Sequence, residues 1–304
     1  MTDAATGTAS LLRPAPLDRA TGDRVVAEEL ATWGVPGAAA VVLTRAGVVG
    51  AAGDSTAVHP WASVSKVVAA LAVLDVVRDG RLRLEDEAGP PGATVRHLLG
   101  HTSGLSFDDG RVLSEPGRRR IYSNTGIDIV VDEACRRSGA GSAAELLTTC
   151  VLVPLGMTGT RLVGPTAHGL EGPLDDLVRL AAELLEPRVL PAGWVDAAVA
   201  PTFPEAAGVL PGFGRQDPND WGLGVELRGR KAPHWMPEGA SPSAFGHFGQ
   251  AGSFVWVDRP AGVACASLSG TPFGPWAAEA WPRSGARWLA AWAPAPSTGG
   301  GEQS

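Results

Sequence analysis

The chain has 304 residues, of which 44% are hydrophobic, a net charge of −7 and three cysteines. A chain of this length can bury a full-sized core, which excludes a small disulfide-stapled scaffold. Because Cys135, Cys150 and Cys265 are far apart and form no C-x-x-C pair, we expect buried free thiols, without a disulfide framework or a zinc site. The acidic balance gives no basic surface for nucleic acid, which is excluded as a partner.

The two ends differ in composition from the rest of the chain. Residues 1–20 lack a basic start followed by an apolar run, so they do not resemble a secretory signal, and a cytoplasmic protein is predicted. No stretch has the roughly 18 uninterrupted apolar residues of a membrane span, so no membrane partner is expected. Residues 1–20 and 294–304 are predicted disordered tails around a single domain at 21–293. The oligomeric state is not predicted.

The hydrophobic pattern predicts helices and strands in a mixed order. A helix at 21–33 leads into a hairpin at 37–43 and 47–52, and a buried helix follows at 63–78. Further helices are predicted at 95–99, 127–138, 143–152, 173–185 and 276–292, and further strands at 224–228, 252–258 and 263–268. This order predicts an α/β (α+β) fold with an antiparallel sheet flanked by helices. The sheet is built from about 21–80 and 220–293, around a mainly helical insert at about 81–219.

Ser63 and Lys66 form an S-x-x-K motif at the start of the predicted buried helix, where positions i and i+3 share one face. The chain has only two lysines, Lys66 and Lys231, and an exposed charge is the ordinary expectation for each. A desolvated lysine, however, can be neutral enough to take the proton of a serine hydroxyl and activate it as a nucleophile. Alone, the motif is weak, and a helix cap followed by a surface lysine is its default interpretation.

A second motif, Tyr122-Ser123-Asn124, contains the only tyrosine of the chain and precedes a predicted helix. A phenol beside a lysine can relay a proton between a serine and a leaving group, which is general acid–base chemistry. The amide of Asn124 offers a donor and an acceptor, which suits it to orient Lys66 and a substrate carbonyl. The two motifs together predict a serine nucleophile.

A third motif, His247-Phe248-Gly249, is followed by Gln250 and a predicted strand. Glycine at position 249 lets the backbone approach a ligand closely. If this segment lies beside Ser63, the peptide N–H groups of Gln250 and Ser63 form a two-donor oxyanion hole. His247 is then in a position to hydrogen-bond Tyr122 or the substrate.

The order S-x-x-K, Y-x-N and H-x-G resembles that of the serine β-lactamases and penicillin-binding proteins, and especially their class C-related, esterase-like branch. Residues 94–105 and 154–157 resemble two further stretches of that branch, and the resemblance covers about 24–292. It implies a β-lactamase/transpeptidase-like fold with Ser63 as nucleophile. It also implies Lys66 and Tyr122 as the proton-handling pair, Asn124 as a positioning group, and no metal or organic cofactor.

The third motif departs from the K-T-G of β-lactamases and carboxypeptidases and is similar to that of esterase-type members. A lysine there would bind a substrate carboxylate, which histidine does less well at neutral pH. We therefore expect a carboxylesterase or amidase that acts on a small-molecule ester or amide through an acyl-enzyme on Ser63. A β-lactamase or D-Ala-D-Ala carboxypeptidase-like activity, an acyltransferase and a non-catalytic scaffold of the same fold remain open.

Other sequence signals are weaker. The stretch 100–104 places its serine one position too late for the G-x-S-x-G elbow of an α/β-hydrolase. His97 and His101 are spaced i and i+4 but lack the glutamate of H-E-x-x-H, so a structural role is expected for both. One or two tryptophans are expected to line an acyl pocket, with the rest in the core. The candidates are Trp61, Trp221, Trp235 and Trp256.

Overall fold

The computed structural model describes residues 17–293. Its helices are α1 (Arg19–Ala31), α2 (Ser65–Arg78), α3 (Val95–Leu99), α4 (Asn124–Ser138), α5 (Ala143–Leu147), α6 (Leu174–Leu185), α7 (Ala192–Val199) and α8 (Pro275–Trp292). Its strands are β1 (Ala39–Thr44), β2 (Gly47–Ala52), β3 (Val58–Pro60), β4 (Arg161–Leu162), β5 (Leu170–Pro173), β6 (Gly208–Leu210), β7 (Gly214–Gln216), β8 (Glu226–Leu227), β9 (Phe245–Gly249), β10 (Ser253–Asp258) and β11 (Val263–Leu268). Within this range no helix combines the length and the apolar character needed to cross a membrane.

The main sheet has six antiparallel strands in the order β2-β1-β11-β10-β9-β8. The first two strands come from the beginning of the chain and the other four from its end. In the centre of the sheet, Cys265 of β11 is paired with Val42 of β1 on one side and with Trp256 of β10 on the other. The helices α2 to α7 lie between these two groups in the sequence. The predicted fold class, an antiparallel sheet from both chain ends around a mainly helical insert, is confirmed.

Both faces of this sheet are covered. In β1, Ala39, Val41 and Leu43 pack into a core with α2, α4 and α6, whereas Ala40 and Val42 pack into a second core with α1 and α8. Strands that are buried on both faces are apolar without alternation, which is the pattern in the sequence. Helix α2 is buried almost all round, as its composition predicts. Its first turn carries Lys66 of the S-x-x-K motif, and the short turn before it, which carries Ser63, packs against β9 and β10 of the sheet.

Some element boundaries differ from the predictions. Helix α1 begins two residues early, β8 has two residues instead of five, and α5 continues as a π-helical turn at Thr148–Leu152. Strand β9, the small sheets β3-β5-β4 and β6-β7 and helix α7 were not predicted. The missed strands have two to five residues, which is too short to show a clear periodicity. The rest of the predicted tails, at 1–16 and 294–304, lies outside the described residues.

The three cysteines are free thiols, but only Cys265 is fully buried. Cys135 on α4 and Cys150 in the π-helical turn are half-buried, so the expectation of burial was wrong for these two. Both lie on helical segments that keep one side toward solvent, whereas Cys265 lies on a central strand covered on both faces. Burial and the neighbouring Asp75 raise the pKa of Cys150 to about 12, which keeps its thiol protonated.

Candidate active site

Ser63 lies in a short 3₁₀ turn, Ala62–Val64, that joins β3 to α2. The α-helix proper begins at Ser65, two residues after the predicted start. Ala62 has a φ of 44°, in the left-handed region that residues with a side chain rarely adopt. Backbone strain of this kind is concentrated at functional sites, where the surrounding structure holds it in place. The strained residue thus immediately precedes the predicted nucleophile.

Lys66 is completely buried, with three oxygen atoms around its amine. Its Nζ lies 3.2 Å from Ser63 Oγ, 2.6 Å from Asn124 Oδ1 and 2.9 Å from the carbonyl oxygen of Ala167. The last two oxygens are acceptors, so a neutral amine donates its two N–H groups to them. Its lone pair then faces the Ser63 hydroxyl. This contact set orients Lys66 as a base toward one oxygen atom.

Burial lowers the pKa of Lys66 to about 7, although the negative charges of Asp128 and Asp108 work in the opposite direction. The Lys66 amine is therefore partly neutral at physiological pH. Asn124 connects it to Asp108, because its Nδ2 donates to Asp108 Oδ1 over 2.7 Å. Neither carboxylate is among the site residues predicted from the sequence. Asp128 lies four residues after Asn124 on α4, a spacing that places both on one helix face and could have identified it.

The rate of Ser63 acylation is expected to rise with pH through about 7, because Lys66 accepts a proton only after losing its own. Asp128→Asn removes a charge that raises the pKa of Lys66, so this rise should move to lower pH. Stopped-flow acylation rates between pH 5 and 9 measure the shift. Asp132→Asn, an exposed change on the same helix, is the control and should leave the profile in place. An unshifted profile in Asp128→Asn would contradict the assignment.

Tyr122 and His247 form the other side of the site, with Tyr122 Oη 3.3 Å from His247 Nε2. Nδ1 of His247 lies 2.7 Å from the carbonyl oxygen of Phe248 and donates to it, which leaves Nε2 as an acceptor for the tyrosine hydroxyl. Burial and the charge of Lys66 lower the pKa of His247 to about 3, so the ring is neutral. Burial raises the pKa of Tyr122, and its contact with Ser63 offsets only part of this increase. Tyr122 is therefore a phenol that donates a proton.

Aromatic rings fix the position of Tyr122. Its ring centroid lies 4.6 Å from that of His101, 5.7 Å from that of Trp221 and 5.9 Å from that of Phe107. Nζ of Lys66 lies 4.7 Å from the Tyr122 ring centroid. The structure therefore brings Ser63, Lys66 and Tyr122 into one group, as the motifs predict.

The histidines of the i, i+4 pair make separate contacts. Helix α3 ends before His101, whose Nδ1 accepts the backbone N–H of Ser123 over 3.2 Å. His97 Nδ1 lies 2.8 Å from Thr94 Oγ1, and its ring stacks on Phe203. Across residues 17–293, no three His, Cys, Asp or Glu side chains are grouped so as to hold a metal ion. The contacts of His97 place it at a helix start, and those of His101 place it behind Tyr122.

The end of β9 packs directly against the turn that carries Ser63. A Cβ on Gly249 would lie 2.5 Å from both the Trp61 carbonyl oxygen and Ser253 Oγ, so a side chain at position 249 would force the two segments apart. Ser253 Oγ also donates to the Trp61 carbonyl over 2.7 Å. Gln250 follows this contact and lines the same cavity as Ser63. Ser63 and Gln250 thus line one cavity, and the oxyanion hole formed by their two peptide N–H groups stays a prediction.

The cavity at Ser63 has a volume of about 40 Å³, and most of its walls are apolar. Among the four candidate tryptophans, Trp221 lines it, whereas the indole of Trp61 is buried and donates to the Gly172 carbonyl. The lining residues are Ser63, Phe107, Tyr122, Leu210, Pro211, Trp221, Glu226, His247, Phe248 and Gln250. We call this space the catalytic pocket. Its size favours a small group next to the reacting carbonyl.

A buried ion pair lies behind the catalytic pocket. Glu226 accepts hydrogen bonds from Lys231 Nζ over 2.6 Å, from His234 Nε2 over 2.7 Å and from Trp235 Nε1 over 2.8 Å. Burial alone would raise the pKa of Glu226, but the charges of Lys231 and His234 lower it below its usual value. Lys231 is thus a buried partner of Glu226 and not an exposed charge. This cluster could not be predicted from the sequence, because its members follow no known motif.

Lys231→Met is expected to lower the free energy of unfolding by about 3–5 kcal/mol, because it leaves the Glu226 carboxylate buried without its cation. Urea unfolding followed by tryptophan fluorescence measures the change. Arg230→Met, an exposed neighbouring change, is the control. The double variant Glu226→Gln/Lys231→Met should recover part of the loss, since it removes both charges. If Lys231→Met unfolds at the same urea concentration as Arg230→Met, the ion pair contributes nothing to stability.

The fold together with the serine, lysine and tyrosine group defines a serine hydrolase of the β-lactamase and penicillin-binding protein superfamily. The Beta-lactamase family model matches residues 23–287, and the chain belongs to this family.

Three known proteins illustrate the relationship. The crystal structure of a β-lactamase from Mycobacterium bovis is 44% identical, with a TM-score of 0.85 over 88% of this chain and 99% of that chain. Penicillin-binding protein 4* of Bacillus subtilis is 32% identical over 134 residues, or 33% of this chain and only 30% of that protein's length. EstCE1, a hydrolase with promiscuous acyltransferase activity, is 15% identical with a TM-score of 0.68 over 89% of this chain and 99% of its own, and shares the fold.

Proposed function

We propose that this protein is an esterase-type serine hydrolase that cleaves a small ester or amide through an acyl-enzyme on Ser63. One observation carries the proposal: Nζ of the buried Lys66 lies 3.2 Å from Ser63 Oγ and is held in place by hydrogen bonds to Asn124 Oδ1 and the Ala167 carbonyl. A nucleophile and its base lie within hydrogen-bond distance, and a third group orients the base.

In acylation, Ser63 Oγ attacks the substrate carbonyl carbon while Lys66 accepts the hydroxyl proton. The carbonyl electrons move onto the oxygen, which the peptide N–H groups of Ser63 and Gln250 stabilise. Tyr122 gives its proton to the leaving oxygen or nitrogen and regains one from Lys66, so a tyrosinate does not accumulate. The bond to the leaving group then breaks, and Ser63 carries the acyl group.

Deacylation runs through the same groups in reverse. Water attacks the acyl carbonyl, and its proton passes through Tyr122 to Lys66. The bond from the carbonyl carbon to Ser63 Oγ breaks, and Ser63 regains its proton as the carboxylic acid leaves. In both steps His247 acts as a positioning residue, because its neutral Nε2 holds the Tyr122 hydroxyl.

The chemistry around His247 favours an ester over a β-lactam. A histidine with a pKa of about 3 has no charge at neutral pH, so position 247 offers no cation for a substrate carboxylate. The small apolar catalytic pocket suits a short acyl group. EstCE1, with the same fold, is named as a hydrolase with promiscuous acyltransferase activity.

The second candidate function is that of a β-lactamase. The name of the 44% identical protein from Mycobacterium bovis favours it.

A direct comparison of two substrates distinguishes these candidates. We expect kcat/KM for p-nitrophenyl butyrate to exceed that for benzylpenicillin by at least ~10-fold, with both activities absent in Ser63→Ala. A higher value for benzylpenicillin would establish the β-lactamase instead. No reaction with either compound, in folded protein, would favour a non-catalytic scaffold.

Water is the proposed acyl acceptor. Adding an alcohol to the ester assay tests the acyltransferase alternative, because transfer yields a new ester in place of the acid. The cytoplasmic location and the exclusion of nucleic-acid and membrane partners stay predictions from the sequence.

A further inference from the structure

A second groove opens beside the catalytic pocket. The two spaces share Phe107, Tyr122 and Pro211 in their walls, so they adjoin at the catalytic tyrosine. The second groove has a volume of about 380 Å³, far larger than the catalytic pocket. Three arginines, Arg119, Arg120 and Arg215, line this groove. We call it the arginine groove.

The arginine groove is basic in an acidic protein. Its lining contains three arginines and no carboxylate, whereas the whole chain has a net charge of −7. Arg215 pairs with Asp217 over 3.0 Å through one nitrogen of an exposed guanidinium, so its other N–H groups can still bind a ligand. The exposed Arg119 donates to the Leu113 carbonyl over 3.1 Å, and no carboxylate in residues 17–293 lies within 4.0 Å of its guanidinium. The charge of Arg119 is thus available to a ligand.

Arg120 adds a further positive charge, on which the carboxylate of Asp220 acts only from beyond ion-pair distance. Its side chain is buried and donates to the backbone carbonyls of Gly100, Thr202 and Phe203. Within the described part of the chain it has no carboxylate partner either. Together with Arg119, it makes this side of the site attractive to an anion.

The groove also exposes apolar surface. Val209, Phe107 and Leu113 are 63%, 50% and 47% exposed, which is unusual for large hydrophobic side chains. Contiguous apolar surface beside a guanidinium fits a ligand with an apolar body and a carboxylate, since arginine binds carboxylates through two parallel hydrogen bonds.

The position of Tyr122 decides which end of the substrate enters. A general acid must lie within hydrogen-bond distance of the leaving atom, so the leaving group departs on the Tyr122 side. Building on the proposed function, we propose that the arginine groove binds the leaving group, and that this group has an apolar body ending in a carboxylate held by Arg119 and Arg215. The natural substrate is then an ester or amide of a hydroxy or amino acid with an apolar body.

Two esters with one acyl group test this proposal: 3-carboxyphenyl butyrate and the neutral 3-carbamoylphenyl butyrate. We expect kcat/KM for the carboxylate ester to fall at least ~10-fold in Arg119→Gln/Arg215→Gln, because two charged hydrogen bonds are lost. The neutral ester should change less than twofold. Arg118→Gln, which removes an exposed arginine paired with Glu115 outside the groove, is the matched control and should alter neither value.

Equal losses for both esters, or no loss for either, would overturn the proposal while leaving the esterase assignment intact. Binding of 4-butylbenzoate against 4-butylbenzamide, measured by calorimetry on wild type and the double variant, gives a readout that needs no turnover. Preferential binding of the benzoate that disappears in the double variant supports the arginine groove even in a protein without esterase activity. Equal or absent binding of both compounds by wild type overturns it.

Discussion

Replacing Lys66 with alanine is expected to slow acylation of Ser63 by at least ~10²-fold, the lower end of general-base contributions. Among residues 17–293, the Lys66 amine is the group placed to take the serine proton, since Tyr122 is held as a phenol by burial. Pre-steady-state release of p-nitrophenol from p-nitrophenyl butyrate measures the acylation rate directly.

Lys66→Arg distinguishes a base from a simple positive charge. Arginine keeps the charge but does not lose its proton at ordinary pH, so this variant should lose as much activity as Lys66→Ala. Recovery of acylation in Lys66→Arg would show that Lys66 acts through its charge. Unchanged acylation in Lys66→Ala would remove Lys66 from the mechanism.

Tyr122→Phe is expected to slow hydrolysis of an alkyl ester by about 10²-fold, because the leaving alkoxide then lacks a proton donor. Hydrolysis of p-nitrophenyl butyrate should fall much less, since p-nitrophenolate leaves without protonation. Comparing kcat/KM for ethyl butyrate and p-nitrophenyl butyrate in wild type and variant isolates the role of the hydroxyl group.

Phe107→Leu is the control for this variant, because Phe107 packs on the Tyr122 ring but has no proton to give. It should affect the two esters to the same extent. If Tyr122→Phe also lowers both values equally, Tyr122 supports the site by packing and does not act as the acid.

The sequence predicted much of the fold because the main sheet is buried on both faces. Val42, Trp256 and Cys265 belong to uninterrupted apolar runs, and these runs stand out against the Gly- and Pro-rich segments around them. The strands of the two small sheets left no such signal, since two to four residues are too few to show a periodicity.

The reacting side chains were predictable for a different reason. Ser63 and Lys66 are neighbours on one turn of chain, and Tyr122 is the only tyrosine, so local spacing and composition identify them. The charged groups that surround these side chains and shift their pKa values were not predictable in this way. Asp108 and Asp128 act on Lys66 through space, and Glu226 meets Lys231 only after the chain folds.

The central claim, that Ser63 is the acylated nucleophile, is tested most directly by intact mass spectrometry after exposure to a fluorophosphonate. Wild type should gain the mass of one adduct, and Ser63→Ala should gain none. Ser65→Ala is the control, because Ser65 is fully buried two residues away and accepts the Leu170 N–H over 3.0 Å. An adduct that persists in Ser63→Ala, or wild-type protein that is folded yet unlabelled, would contradict the claim.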